Sequence, residues 1–124
     1  MESPKKNDTF LESFKYAWEG IRVAYTEERN IRKHVYSTII VFILGFLFSF
    51  NTKEYLWLTM ACFIVIFSEL INTIFENLVD LVTNEYHPLA KKVKDIAAGT
   101  VLISSFFAVV IGTLLFLPKI LSLF

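Results

Sequence analysis

The fold is decided by residues 56–80, LWLTMACFIVIFSELINTIFENLVD, which indicate one long helix that begins apolar and ends polar. Residues 56–68 carry no charge, and Glu69 then interrupts the apolar run. A helix that crosses the ~30 Å hydrocarbon core of a bilayer needs about 20 residues. The uncharged part is too short, so the run spans a membrane only by continuing through Glu69 to about Phe75. The sequence therefore predicts a carboxylate inside the membrane.

The composition of the whole chain points to the same environment. The 124 residues are 55% hydrophobic and 16% aromatic, and the mean hydropathy is +0.54. A soluble domain of this size cannot bury that much apolar surface, and disordered chains are poor in apolar residues. Twelve basic residues balance twelve acidic ones, so no net charge attracts nucleic acid, and the single Cys62 excludes an internal disulfide. We expect one membrane domain over residues 1–124.

Two further uncharged stretches, residues 35–50 and 96–118, complete the apolar part of the chain. With flanking residues included, the predicted transmembrane helices cover 33–50, 55–82 and 93–118. Before them, from Phe10 to Tyr25, apolar residues recur at three- and four-residue steps among charged ones, which is typical of an amphipathic helix at a membrane surface. The predicted fold is an all-α membrane protein with three transmembrane helices and an N-terminal amphipathic surface helix over 8–30.

The basic residues predict the orientation of these helices. Seven precede the first apolar stretch and three lie between the second and third, whereas Lys53 and Lys119 alone mark the other side. Cytoplasmic loops carry the excess of Lys and Arg, so we expect the N-terminus and residues 83–95 in the cytoplasm. The two connections are expected at 51–54, a tight turn, and at 83–94, where Pro88 suits a turn or the first turn of a helix.

A polar stripe runs along the second predicted span. Glu69, Asn72, Glu76 and Asp80 fall within about an 80° sector at 100° per residue. Ionisable residues within a membrane are expensive and are by default a functional-site hypothesis. The structural alternative is a set of hydrogen bonds between helices. Three carboxylates and an amide on one stripe favour cations, protons or a polar ligand instead.

The residue types of this stripe suit phosphate chemistry. Carboxylate oxygens are ligands that Mg²⁺ shares with phosphates and water. Lys94 and Asp95 begin the third span close to where the second leaves the membrane, and a lysine there can neutralise a phosphoryl group. Glu69 lies deepest and suits a general base for a lipid hydroxyl. A Gly-rich phosphate loop ending in GK[ST] is missing from the sequence, so a nucleotide has to bind by another route.

Several segments resemble the small prokaryotic integral-membrane diacylglycerol kinase family, which also includes undecaprenol kinases. The resemblance lies in residues 69–80 (ELINTIFENLVD), 85–88 (EYHP) and 94–99 (KDIAAG), and extends to 14–18 (FKYAW) and 28–32 (ERNIR). It implies a phosphotransferase that uses Mg²⁺ and ATP on a membrane lipid alcohol. It also implies a homotrimer with active sites at the subunit contacts, in the bacterial cytoplasmic membrane.

The resemblance assigns roles residue by residue. Glu69 is expected to be the catalytic base, Glu28 and Glu76 to hold the metal, and Asn72 and Asp80 to support the site. Residues expected to contact the nucleotide are Tyr16, Glu28, Glu76, Glu85, Tyr86, His87, Lys94 and Asp95. Without the resemblance, a lone loop histidine such as His87 is more often an exposed surface residue.

The identity of the lipid acceptor stays open at this level. Ile74 replaces a residue that is often Ala in the family, a change that would alter packing beside the lipid. Residues 32–34 (RKH) resemble the Gram-positive branch of the family, whose members often prefer undecaprenol, so we favour undecaprenol over diacylglycerol. A small proton or cation conductor is the alternative function, but residues 56–68 offer only weakly polar side chains for a path to the outside. A purely structural membrane subunit would tolerate replacement of the whole polar stripe.

Overall fold

A computed structural model describes residues 9–124, and over this range the chain folds into four α-helices joined by short connections. The helices are α1 (Phe10–Glu27), α2 (Arg29–Leu47), α3 (Thr52–Val82) and α4 (Pro88–Leu121). Residues 9–124 contain no β-strand, which agrees with the all-α prediction. Residue 8, the predicted start of the surface helix, lies outside the described residues.

Helix α1 presents a wide apolar stripe that finds little cover within the chain. It begins with a capping box, in which the Thr9 hydroxyl accepts from the Glu12 amide and the Glu12 carboxylate accepts from the Thr9 amide. None of its residues is buried, and Phe10 and Trp18 are 88% and 61% exposed. An amphipathic helix of this kind is suited to the membrane surface.

The surface helix was predicted to run to residue 30, but it ends at Glu27. Glu28 adopts an extended conformation, with φ −102° and ψ 108°, and α2 begins at Arg29. The chain therefore turns at Glu28, so α1 and α2 are separate helices with a bend between them. Helix α2 then covers most of the predicted first span, 33–50, and ends three residues early at Leu47.

Arg32 stabilises this bend by capping the end of α1. Its guanidinium donates hydrogen bonds to the carbonyl oxygens of Tyr25 at 2.8 Å and Thr26 at 2.6 Å. Carbonyls in the last turn of a helix have no partner within the helix. The guanidinium supplies hydrogen-bond donors to them, and its positive charge interacts favourably with the negative end of the helix dipole. The Tyr25 and Tyr36 hydroxyls also share a hydrogen bond of 2.9 Å across the junction, and this bond raises the pKa of Tyr25 above its ordinary value.

The turn between α2 and α3 lies at residues 48–51 rather than at the predicted 51–54. Asn51 is the reason, because its side chain accepts from the Glu54 amide at 2.8 Å and so begins α3 at residue 52. Gly45 has no side chain, so the residues after the turn can pack closely against α2. A Cβ atom on Gly45 would lie 3.0 Å from the Phe50 ring and 3.2 Å from the Tyr55 ring.

Helices α3 and α4 form an antiparallel hairpin, which is the most extensive packing in the chain. The buried residues follow coiled-coil spacing, and half of them are Ala or Ser, which lets the backbones approach. On α4 they recur every seven residues. Ion pairs close both ends of the hairpin, Lys119 with Glu54 at 3.3 Å and Lys94 with Asp80 at 2.7 Å. The buried set comprises Leu58, Ala61, Val65, Ser68 and Glu69 on α3 and Ala97, Ser104 and Ile111 on α4.

Among residues 9–124, α3 and α4 are long and apolar enough to cross a membrane. Only 28% of the most apolar part of α3 and 11% of that of α4 are buried within the chain, so neither is shielded like the core helix of a soluble domain. Helix α2 carries Arg29, Arg32 and Lys33 in its first turns, and it is not among the helices that are long and apolar enough by this criterion. Three spans stay a prediction, whereas the apolar, outward-facing character of α3 and α4 is consistent with a membrane protein.

Candidate active site

The polar stripe lies on one continuous helix, because α3 is unbroken from Thr52 to Val82. Its exposure increases along the chain: Glu69 is only 5% exposed, Asn72 and Glu76 are half-buried, and Asp80 is exposed. The polar face therefore starts inside the helical bundle and opens at the end where α4 begins.

The deepest member of the stripe, Glu69, is paired with a residue that the sequence interpretation missed. His34 of α2 places Nε2 at 3.2 Å from Glu69 Oε1. The side chains are 30% and 7% exposed, respectively. A register argument was available: the turn at 48–51 makes α2 and α3 antiparallel, so residues about equally far from it come together. His34 precedes this turn by fourteen residues and Glu69 follows it by eighteen, an offset of about one helical turn.

One turn further along α3, Asn72 and Glu76 form a local pair. The Asn72 amide nitrogen donates to Glu76 Oε1 at 3.0 Å. The Asn72 amide oxygen is fully buried and lacks a hydrogen-bond partner among the described residues. A buried acceptor without a partner is unusual in a native structure. An orphaned amide oxygen beside a carboxylate is the kind of hard-oxygen environment that suits Mg²⁺.

The end of the stripe opens into a cavity of about 370 Å³ between α3, the 83–87 connection and α4. This volume lies within the range of small-molecule sites. Lys94 reaches across it to Asp80, and Lys91 pairs with Asp95. Six residues predicted for the nucleotide site or its support line the cavity: Asp80, Glu85, Tyr86, His87, Lys94 and Asp95.

His87 in this cavity also has a local structural role. Its Nδ1 accepts from the Leu89 amide at 3.1 Å, and Pro88 follows as the first residue of α4. Proline is favoured there because its missing amide hydrogen has no helical partner. His87 is therefore the N-cap of α4 as well as an exposed side chain at the cavity, and its contact with a nucleotide stays a prediction.

The structure does not bring the two predicted metal ligands into contact within one chain. Glu28 lines a separate cavity of about 330 Å³ between α1 and α3, whose α3 wall is Leu70, Thr73, Ile74 and Asn77 rather than Glu76. Across residues 9–124, three or more acidic, His or Cys side chains never cluster as a metal centre. Tyr16 lies on α1, beside Ala17 of this same cavity. Metal binding by Glu28 and Glu76 stays a prediction.

The parts of the site are separated along the helix axis. Glu69 and Asp80 are eleven residues apart on α3, or about 16 Å at 1.5 Å per residue. A buried carboxylate at one end and a polar cavity with two lysines and three carboxylates at the other suit a reaction between an apolar substrate and a polar one. The two substrates would approach the stripe from opposite ends.

Comparison with known proteins identifies the family. The prokaryotic diacylglycerol kinase family model matches residues 15–116. The chain is 40% identical to a diacylglycerol kinase of Synechocystis over 91% of its length, covering 65% of that protein. It is 39% identical to the undecaprenol kinase of Bacillus subtilis, covering 90% of each. A Helicobacter pylori diacylglycerol kinase is 37% identical over 84% of each chain.

The chain therefore belongs to the prokaryotic diacylglycerol kinase family, and so to the lipid kinases. This confirms the resemblance found in residues 69–80, 85–88 and 94–99. The Synechocystis and Bacillus subtilis relatives carry different acceptor names, so membership alone leaves the lipid substrate open.

Proposed function

We propose that the protein transfers the γ-phosphate of ATP to the hydroxyl of a membrane lipid alcohol, with Glu69 as the general base. The observation that carries this proposal is a buried carboxylate on an apolar helix, at the head of a polar face that leads to a 370 Å³ cavity with two lysines. Membership of a lipid kinase family supports the same reaction.

In this reaction the lipid oxygen forms a bond to the γ-phosphorus as the bond from that phosphorus to the ADP oxygen breaks. Glu69 accepts the proton of the hydroxyl, and Lys94 offsets negative charge on the phosphates. Mg²⁺ bound to the nucleotide would neutralise further phosphate charge. Glu28 and Glu76 are the proposed carboxylates for it, and Asn72 holds the Glu76 carboxylate in place.

A homotrimer with shared sites is part of the proposal. Within one chain, the cavity that Glu28 lines is walled by α3 residues other than Glu76, and Glu69 lies about 16 Å from Asp80 along α3. Large apolar side chains also stay exposed along α2, α3 and α4. Association of copies would cover some of this surface and bring parts of the site together from different subunits.

The proposed location is the bacterial cytoplasmic membrane, with three spans and a cytoplasmic N-terminus. Helix α2 would be the first span. Lys119 and Glu54 pair at one end of the α3–α4 hairpin and Lys94 and Asp80 at the other. The lysine-rich 91–94 segment therefore lies at the end that the excess of basic residues predicts to be cytoplasmic.

The test is transfer of labelled phosphate from ATP to undecaprenol and diacylglycerol offered together in mixed micelles. We expect labelled lipid in the presence of Mg²⁺, with more of the undecaprenol product, because residues 32–34 resemble the branch of the family associated with that acceptor. Glu69→Gln should abolish transfer while nucleotide binding persists. Glu19→Gln is the matched control, because Glu19 lies in a solvent-exposed pair on α1.

Two results would overturn the proposal. Absence of labelled lipid from folded protein with both acceptors would exclude the kinase activity. An active Glu69→Gln variant would exclude Glu69 as the base. Ion flux through liposomes without ATP would instead favour a conductor, for which the buried apolar residues Leu58, Ala61 and Val65 on the outer half of α3 offer no polar path.

A further inference from the structure

His34 and Glu69 form a contact that the family comparison does not assign. They come from different helices, 35 positions apart in sequence, with 3.2 Å between His34 Nε2 and Glu69 Oε1. Glu69 is among the three buried polar residues of the described chain. The partner of such a carboxylate decides its orientation.

The other polar side chains nearest to Glu69 on α3 are engaged elsewhere. The Ser68 hydroxyl donates to the Ile64 carbonyl at 2.7 Å, and the Thr73 hydroxyl donates to the Glu69 main-chain carbonyl at 2.9 Å. Neither hydrogen bond reaches the Glu69 carboxylate. His34 is therefore the side chain that holds the carboxyl group.

The chemistry of the base fixes the direction of the hydrogen bond. An ionised carboxylate only accepts hydrogen bonds, so in the state ready to take a proton Nε2 of His34 must carry a hydrogen and donate it. This occupies Oε1 of Glu69. The second oxygen, Oε2, is then the one available to the acceptor hydroxyl.

We propose that His34 is a positioning residue of the phosphotransfer reaction, donating from Nε2 to Glu69 Oε1 so that Oε2 faces the lipid hydroxyl. This role rests on the proposed function, because it presumes that Glu69 is the base. The hydrogen bond also keeps the carboxylate from rotating toward its own helix, and it contributes most when the surroundings exclude water.

The kinetic test compares His34→Phe, which keeps a flat ring but removes the donor, with His34→Gln, which keeps an N–H donor. A hydrogen bond to a charged group contributes enough that kcat should fall about 10- to 100-fold in His34→Phe, with the KM values for ATP and lipid changed less than about twofold. His34→Gln should recover most of kcat. Lys33→Gln is the control, because Lys33 is exposed and adjacent in sequence.

A spectroscopic test is independent of activity. The ¹⁵N resonance of His34 Nε2, measured in micelles, should move when Glu69 is replaced by Ala and stay in place in Glu54→Ala, at the far end of α3. An inactive wild-type protein overturns the proposed function and this role with it. An active enzyme overturns this role alone if His34→Phe keeps wild-type kcat, if His34→Gln is no better than His34→Phe, or if the resonance ignores Glu69.

Discussion

Replacement of Gly45 by Ala has two opposing effects on the free energy of unfolding, because Gly45 lies where α2 packs closely against Phe50 and Tyr55. Alanine stabilises a helix interior by about 0.5–1 kcal/mol relative to glycine. The new Cβ would lie 3.0 Å from Phe50 Cδ2 and 3.2 Å from Tyr55 Cε1. Phe50 is buried, and the Tyr55 hydroxyl donates to the Phe42 carbonyl at 3.2 Å, so neither ring moves freely.

Overpacking of this kind costs about 1–3 kcal/mol, which exceeds the gain in helix propensity. We therefore expect Gly45→Ala to lower the free energy of unfolding by about 1 kcal/mol. Gly112→Ala is the matched control: it lies within α4, and nothing lies within 4 Å of its added Cβ. The helix gain is common to both variants, so their difference isolates the steric cost.

The assay is reversible unfolding of the three proteins in mixed micelles, with a denaturing detergent as the titrant and helix content as the signal. Gly112→Ala should be at least as stable as the wild type, and Gly45→Ala should be about 1–3 kcal/mol less stable than Gly112→Ala. Equal stability of the two variants would refute the close packing of Gly45 against Phe50 and Tyr55.

Three further predictions concern the site and its supports. Glu76→Ala should raise the Mg²⁺ concentration needed for half-maximal activity, measured by Mg²⁺ titration at fixed ATP; unchanged metal dependence would contradict the ligand role. Arg32→Met should loosen the bend between α1 and α2 and increase proteolysis near Glu28, because two carbonyl oxygens lose a charged donor. Asp80→Asn should change stability by less than about 1 kcal/mol, because the pair with Lys94 is about half exposed. It should still raise the KM for ATP, because Lys94 loses the carboxylate that positions it; an unaltered KM would remove Asp80 from the site.

The sequence was sufficient for the helices and for the polar stripe. The apolar runs and their periodicity are local properties of the chain, so the four helices fall close to the predicted segments. Glu69, Asn72, Glu76 and Asp80 share a face because helical periodicity is a property of one segment. The family resemblance was equally local, since its motifs lie within short runs such as 69–80.

The helix ends were harder to predict because they depend on single side chains in particular conformations. The surface helix stops at Glu27 because the chain is extended at Glu28 and Arg32 reaches back to cap it. Helix α4 begins at Pro88, in the first turn as one of its two expected placements allowed, but five residues before the predicted start of the third span at 93. The reason is the His87 cap, which begins the helix within the predicted 83–94 connection. The Asn51 cap begins α3 at Thr52, so the connection between α2 and α3 lies at 48–51, three residues earlier than predicted.

By itself the sequence determined an all-helical, apolar chain with a carboxylate stripe, because composition and periodicity need no tertiary information, and its short motifs carried the resemblance to the family. Only the tertiary structure decided which groups meet. It paired His34 with Glu69 across α2 and α3, gathered residues 80–95 around one cavity, and placed Glu28 against a different face of α3 from Glu76. Such contacts join positions far apart in the chain, and they follow from how helices pack, which no local pattern encodes.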